Sequence, residues 1–312
     1  MGLRSRAGTR LPGAVEVKAL GACYGFEVRS ALPFRYLREG SGDPLEVTAP
    51  APEGEGPEDV LLIEWLATEE LPLEARLYSD GRSFRLWIGG GGWFSVEPEE
   101  GRIEAPADGW LRTEERLWGI PALLCFRARG DLPLHAAAVE AEGEAVLVAA
   151  PRTYGKTTMA AAFHRNGHRV LSEDTSCVRL GPEPEVVPGP AMLRVRPDVA
   201  RALELPRARR VGTEDDRVHY ALDEPGDCTP VRLRAVVFLA ESEGAPELEP
   251  VQQPEAIRDL WALSFRLPTE EDVGRSFADV ADLASTVPAF RLRRSLALDA
   301  LDDHVARVLA GV

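Results

Sequence analysis

Lysine and the carboxamides are nearly missing from this chain. Of 36 basic side chains only Lys18 and Lys156 are lysines, Asn166 is the single asparagine, and Gln252 and Gln253 are the two glutamines. Heavy use of Arg, Ala, Leu, Glu and Pro points to a GC-rich genome, and the shortage of Asn and Gln is compatible with a warm habitat. Cysteine is also sparse. Cys23, Cys125, Cys177 and Cys228 lie far apart without a CxxC pair, which argues against a zinc site or disulfide framework and leaves buried free thiols. No run of about 18 apolar residues occurs, so no transmembrane span is expected. The opening stretch MGLRSRAGTRLPGAVEV is charged but lacks an apolar h-region, so a secretory signal is not expected. MGLRSR places Ser5 only near a myristoylation-like pattern. Clustered positive charge is lacking as well. A net charge of −15 speaks against non-specific binding to nucleic acid or anionic membrane. The expectation is a soluble, cytoplasmic protein with a solvated acidic face.

What is present is enough apolar material for a sizeable core. The chain has 312 residues and is 45% hydrophobic, a length for about two domains. Short alternating or apolar runs fill the first half: FEVRS, DVLLIEWLA, EARLYSD, SFRLWIGG and WFSVEPE, separated by Pro/Gly clusters such as Ala49–Asp59. They predict strands and turns, with Gly89–Gly92 as a hairpin turn. Residues 111–129 have helical spacing broken at Gly119–Pro121 and predict a kinked helix. Beyond residue 130 strands and helices alternate. Two strands joined by AEGE lead into a loop, a helix KTTMAAAFHR ends at Gly167, and the strand HRVLSED ends in acids. Further strands are VVPGPAMLRVRPD, VRLRAVVFLAE and AFRLRR, the last set among amphipathic C-terminal helices. The expected division is a β-rich N-terminal domain, residues 1–130, and an α/β nucleotide-binding domain, residues 131–312.

The stretch VLVAAPRTYGKTTMAAAF carries the chemistry. A phosphate-binding loop needs a turn aiming successive N–H groups inward and a helix start beneath them. It also needs a lysine for the β/γ-phosphates and a hydroxyl for Mg²⁺. Gly155, Lys156 and Thr157 give the GK[ST] core in register, and Thr158 follows. Ala150 stands where the first glycine of GxxxxGK[ST] falls, and Thr153 where many loops have another. A β-branched residue forced to positive φ would lose about 1–2 kcal/mol. Pro151 stiffens the entry, and Arg152 adds a cation beside Tyr154. A lysine at the one position that needs it stands out in a chain with two. Glu173 and Asp174 end the following strand, where α/β proteins bind ligands. One acid can hold Mg²⁺ while the other deprotonates a hydroxyl. His135 opens the strand before the loop; its neighbours alone favour a structural core or turn histidine. His164 and His168 flank the helix end as surface or dipole-complementing residues.

LPLHAAAV, AVLVAAPRTYGKTTMAAAF, GHRVLSEDTSCV and VVPGPAMLRVRP together resemble the catalytic domain of the HPr kinase/phosphorylase family. The likeness is greatest to the HPr-kinase-related proteins of bacterial biosynthetic clusters, including the lasso-peptide kinases. It covers residues 130–200 well and the rest of the second half loosely. It implies a P-loop kinase domain of the fold shared with ATP-dependent phosphoenolpyruvate carboxykinase, using ATP and Mg²⁺ to phosphorylate a hydroxyl. By that resemblance residues 150–158 bind ATP, Lys156 contacts phosphate, and Thr157 with Asp174 holds the metal. Glu173 and Asp174 match paired aspartates, one of them the general base, and His135 matches an active-site histidine. Glu173 departs from the first aspartate by one methylene. HPr-docking segments have no clear counterpart, so the implied acceptor is a peptide or small molecule rather than HPr. Arg194, Arg196 and Arg217 are candidates for holding it. Family relatives are oligomers. A nucleotide-binding protein without turnover, or another nucleotide-dependent transferase, remains the alternative.

Overall fold

Every second side chain is buried in stretches such as FEVRS and GWFSVE, the period of strands with one face on a core. The computed structural model describes residues 18–68, 74–151 and 154–312. The leading segment read for targeting signals, and the loop positions Arg152 and Thr153, lie outside the described residues. The chain folds as a mixed α/β structure with several sheets. The first sheet holds β1 (Lys18–Cys23), β2 (Phe26–Ser30), β3 (Asp43–Thr48), β4 (Val60–Trp65), β5 (Ala75–Ser79), β6 (Phe84–Ile88), β7 (Gly92–Glu97) and β8 (Arg102–Glu104), in the order β1-β2-β3-β8-β7-β6-β5-β4. Pairing is antiparallel except for β2–β3 and β3–β8, which are parallel. The glycine run makes the expected hairpin turn between β6 and β7, with Gly91 N–H on Ile88 O at 2.9 Å.

The kinked helix expected over 111–129 is two helices, α1 (Trp110–Leu117) and α2 (Ile120–Ala128). Pro121 lacks an N–H and is accommodated in the first turn of α2, so a new helix starts there. Leu117, Trp118, Leu124 and Phe126 pack against Phe26, Leu45, Leu77, Leu86 and Phe94 of the sheet in one core.

A carboxylate is sealed beneath this layer. Glu114 Oε1 accepts the backbone N–H groups of Arg35 and Tyr36 at 2.8 and 3.0 Å. Burial pushes its pKa up from 4.5 to about 7, against the pull of those N–H groups. Because the folded value is the higher one, the stabilisation is full below 4.5 and is lost as pH rises through about 7. Glu114→Gln keeps the acceptor oxygen and does not titrate. Across that window urea unfolding should show wild type losing up to about 3 kcal/mol relative to the variant. Parallel curves would refute this.

The second sheet has nine strands and begins with β9 (Leu132–Leu134), β10 (Ala136–Ala141) and β11 (Glu144–Ala149). Then come α3 (Lys156–Arg165), β12 (Arg169–Ser172), β13 (Ser176–Arg179) and β14 (Glu185–Val187). An inserted three-stranded sheet contains β15 (Met192–Val195), followed by α4 (Pro197–Ala202), with β16 (Ala208–Glu214) and β17 (Arg217–Leu222). The chain returns through β18 (Val231–Glu241) and β19 (Glu247–Pro250) to α5 (Gln253–Leu263) and α6 (Glu270–Thr286). It closes with β20 (Ala289–Arg294) and α7 (Leu301–Leu309). The hairpin β16–β17 escaped the sequence because its turn is Asp215–Asp216, both at positive φ, without the glycine that usually marks such turns. α3 and α7 share a core on one face of the nine-stranded sheet, and α5 and α6 cover the other.

In this sheet β11, β18 and β20 are mutually parallel neighbours, so their carboxyl ends open on one side, the usual ligand edge of an α/β sheet. α3 ends as expected. Gly167 takes φ 91, with His168 N–H on Phe163 O and Gly167 N–H on His164 O, a Schellman cap. His164, expected at the surface, is buried. Its Nε2 lies 2.8 Å from Pro206 O, and burial lowers its pKa. Two buried arginines join the layers. Arg127 on α2 reaches Asp272, Ser276 and Asp279 of α6. Arg38 donates to the carbonyls of Val170, Leu171, Gly189 and Pro225. Arg38 thereby ties the first sheet to β12, whose end carries the acids.

The four cysteines are buried free thiols. Burial pushes each thiol up, which makes a poor nucleophile. Among the described residues no helix is long and apolar enough to cross a membrane.

Candidate active site

β11 is buried from Ala145 to Ala149, and Ala150 continues it at 1% exposure with negative φ. An alanine therefore fits that position without left-handed strain. The loop turns into α3 at Gly155, with φ 84 and ψ 23. The positive φ favours glycine, and a Cβ there would lie 2.6 Å from Arg294 Nη2 and displace that guanidinium. Arg294, at the carboxyl end of β20, donates to Tyr154 O at 2.7 Å and Ser295 O at 2.9 Å, and burial lowers its pKa. It holds the loop's exit from beneath.

The first turn of α3 presents Lys156 and Thr157 to a cleft of about 600 Å³. Lys156 is 6% exposed. Its Nζ donates to Ala150 O at 2.9 Å and Pro151 O at 3.3 Å, and lies 2.9 Å from His135 Nε2. An ammonium can only donate, so Nε2 accepts and the ring proton belongs on Nδ1. That nitrogen is 3.5 Å from Asp174 Oδ1, giving a line from lysine through histidine to aspartate.

Thr157 Oγ1 donates to Glu173 Oε1 at 2.6 Å. Glu173 Oε2 accepts from Arg194 Nε at 2.7 Å. The same guanidinium pairs with Glu115 and lies 3.4 Å from Asp174 Oδ2. Burial raises the Glu173 carboxyl, Arg194 lowers it and Asp174 raises it again, with a net rise above the usual carboxylate value. For Arg194, burial alone would lower the pKa, but Glu173, Glu115 and Asp174 hold it well above normal. Glu173 is 3% exposed and Asp174 44% at their side chains. Two adjacent acids thus have different surroundings. One is sealed against Thr157 and Arg194, and the other faces the cleft.

His135, Gly155, Lys156, Thr157, Thr158, Glu173 and Asp174 all border this cleft, as do Arg194, Arg196 and Arg217. The arginines differ. Arg194 is engaged by three carboxylates, whereas Arg196 is exposed and pairs with Asp198 at 2.9 Å. Arg217 sits at the start of β17. Thr157 meets Glu173 rather than Asp174. Among the described residues no group of three or more His, Cys, Asp or Glu side chains could hold a metal ion. Thr157 and Glu173 are nonetheless adjacent hard oxygen donors, and Mg²⁺ takes most of its ligands from water and phosphate.

Sequence reasoning missed Glu115, Arg116, His219 and Arg294. Glu115 belongs to an apparently ordinary charged helix, LRTEERLW, in a chain with 51 acids. His219 is fully buried with Nε2 3.9 Å from Glu115 Oε2. Their proximity to the acids arises only because α1 and the β15–β17 sheet close over the cleft.

No family model matches this chain, and no curated protein matches it. Among solved structures it is similar to the Hpr(Ser) kinase/phosphatase from Coxiella burnetii, over 57% of this chain and 95% of that one. The identity is 11% and the TM-score 0.32. A likeness this loose bears on no residue of the site.

Proposed function

We propose that the protein is an ATP-dependent kinase acting on a hydroxyl of a peptide or small molecule other than HPr. The observation that carries this reading is the Thr157–Glu173 hydrogen bond of 2.6 Å beside the buried Lys156. Lys156 and Thr157 lie in the first turn of a helix that follows a buried strand, and Glu173 follows the next strand. Residues 150–158 are the proposed ATP-binding segment, with the orphan N–H groups and dipole of α3 favouring the anion. Lys156 leaves the carbonyls of Ala150 and Pro151 to meet the β/γ-phosphates.

A bound Mg²⁺ would neutralise negative charge on the phosphates. Thr157 and Glu173 are its proposed protein ligands, each carboxylate oxygen keeping a second lone pair. Asp174, which the resemblance put at the metal, is taken instead as the base because it faces the cleft and is oriented by His135 and Arg194. Asp174 accepts the proton of the acceptor hydroxyl as that oxygen bonds to the γ-phosphorus. The bond to the β–γ bridging oxygen breaks, and ADP leaves with the electron pair.

Incubation of the protein with candidate acceptors and either γ- or α-labelled ATP tests this. Label from the γ position on the acceptor is expected. Label from the α position would mark a nucleotidylyl transferase. Mg·ATP binding by calorimetry with no transfer to any acceptor would mark a nucleotide-binding protein without turnover.

A further inference from the structure

Beside the cleft lies a second, smaller cavity of about 160 Å³ that reaches under the first sheet. Much of its wall is apolar, formed by Ala75, Ile88, Trp118, Ile120, Met192 and the ring of Tyr24, and the rest is the charged rim it shares with the cleft. Ala75 and Ile88 are cross-strand partners on β5 and β6, and Trp118 follows α1. Glu115, Arg116, Glu173, Asp174 and Arg194 border both spaces. A group seated in the small cavity therefore ends at carboxylates that also border the cleft holding Lys156 and Thr157.

The wall is built rather than incidental. Tyr24 is 1% exposed at φ 51, a backbone region uncommon for a bulky residue. Its hydroxyl donates to Thr175 O at 2.9 Å, next to Asp174. The ring lies so close to Gly189 that a Cβ there would be 2.5 Å from it.

The geometry points to this cavity as the acceptor pocket, receiving a benzene-sized apolar group of an uncharged alcohol whose hydroxyl lies at the Asp174 rim. The inference rests on the kinase reading and names its substrate class. Size sets the first limit, since a dry cavity of about 150 Å³ holds benzene. Charge sets the second. At the rim Arg116 is paired with Asp215, and Arg194 with Glu173 and Glu115. An anionic acceptor would face Asp174 without a free cation among these two, and a charged group of either sign would lose solvation against the apolar walls. The N-terminal sheet and α1–α2 thereby supply specificity, while the α3 side supplies the phosphoryl donor.

Benzyl alcohol and glycerol serve as probes of the full-length protein, with binding followed by ligand-observed NMR and Mg·ATP binding by calorimetry. Benzyl alcohol should bind at least tenfold more tightly than glycerol. Ala75→Leu, which fills the cavity, should weaken benzyl alcohol at least tenfold and leave Mg·ATP affinity within twofold. Ile88→Ala, which widens it, should shift preference toward 2-naphthylmethanol, a reversal that general destabilisation would not produce. With γ-labelled ATP, benzyl phosphate should form faster than glycerol phosphate. Equal binding of the two alcohols, or binding unmoved by both substitutions, overturns the pocket. ATP turnover with no preference for the apolar alcohol overturns its acceptor role and leaves the kinase reading standing. Cavity-dependent alcohol binding without any Mg·ATP binding sinks the kinase reading instead, and with it the acceptor role.

Discussion

Asp174→Asn should fold as wild type does, bind Mg·ATP within a few-fold of wild-type affinity, and transfer phosphate about 10²–10⁴ times more slowly. The residue is the more exposed of the two acids, so the amide meets little desolvation, while the proton acceptor is gone. Lys156→Ala is the informative contrast. It should lose Mg·ATP affinity as well as rate, with transfer reduced about 10²–10³-fold by removal of a donor aimed at the phosphates. Calorimetry and single-turnover transfer on the two variants separate the roles. Full activity in both would remove the site assignment, and equal loss of affinity in both would remove the division of labour between base and phosphate lysine.

The second large effect is expected at Arg194. Its guanidinium neutralises Glu173 and Glu115, which are 3% and 8% exposed. Arg194→Ala leaves these acids buried without their cation, a change that costs about 3–5 kcal/mol in comparable buried pairs. Lysine should not rescue it, because one ammonium cannot reproduce the fork that spans Glu115, Glu173 and Asp174. The same variant has a pH signature. Arg194 lowers the Glu173 carboxyl against the effect of burial, so its loss raises that pKa further. Glu173 then needs a higher pH to ionise. The acid limb of phosphate transfer should move to higher pH in any Arg194 variant that still folds. Thermal unfolding and the pH–rate profile provide the measurements. An unchanged midpoint with an unchanged acid limb would show that Arg194 is a surface residue in all but burial.

Much of the local structure was legible in the sequence. The alternation in FEVRS and WFSVE, the AEGE turn, Gly167 and the Ala-rich helix after Lys156 each follow from short-range sterics and hydrogen bonding. The failures share a cause. Pro121 made two helices of one because its missing N–H could be absorbed only at a helix start. β3 and β8 pair in parallel, and residues as distant as Thr48 and Glu104 decide that. His164 is buried because the chain near Pro206 covers it, a contact no local pattern records.

Local pattern along the chain was enough to place Gly155, Lys156 and Thr157 at the opening of a helix after an apolar strand, and two acids at the end of the next strand. Those are matters of spacing. Tertiary structure alone decided which acid meets Thr157, which arginine is sealed among carboxylates, and that Glu115 and Trp118, more than fifty residues from Glu173, border the same space. A side chain's local propensity travels with the chain, whereas its electrostatic surroundings depend on which layers close over it.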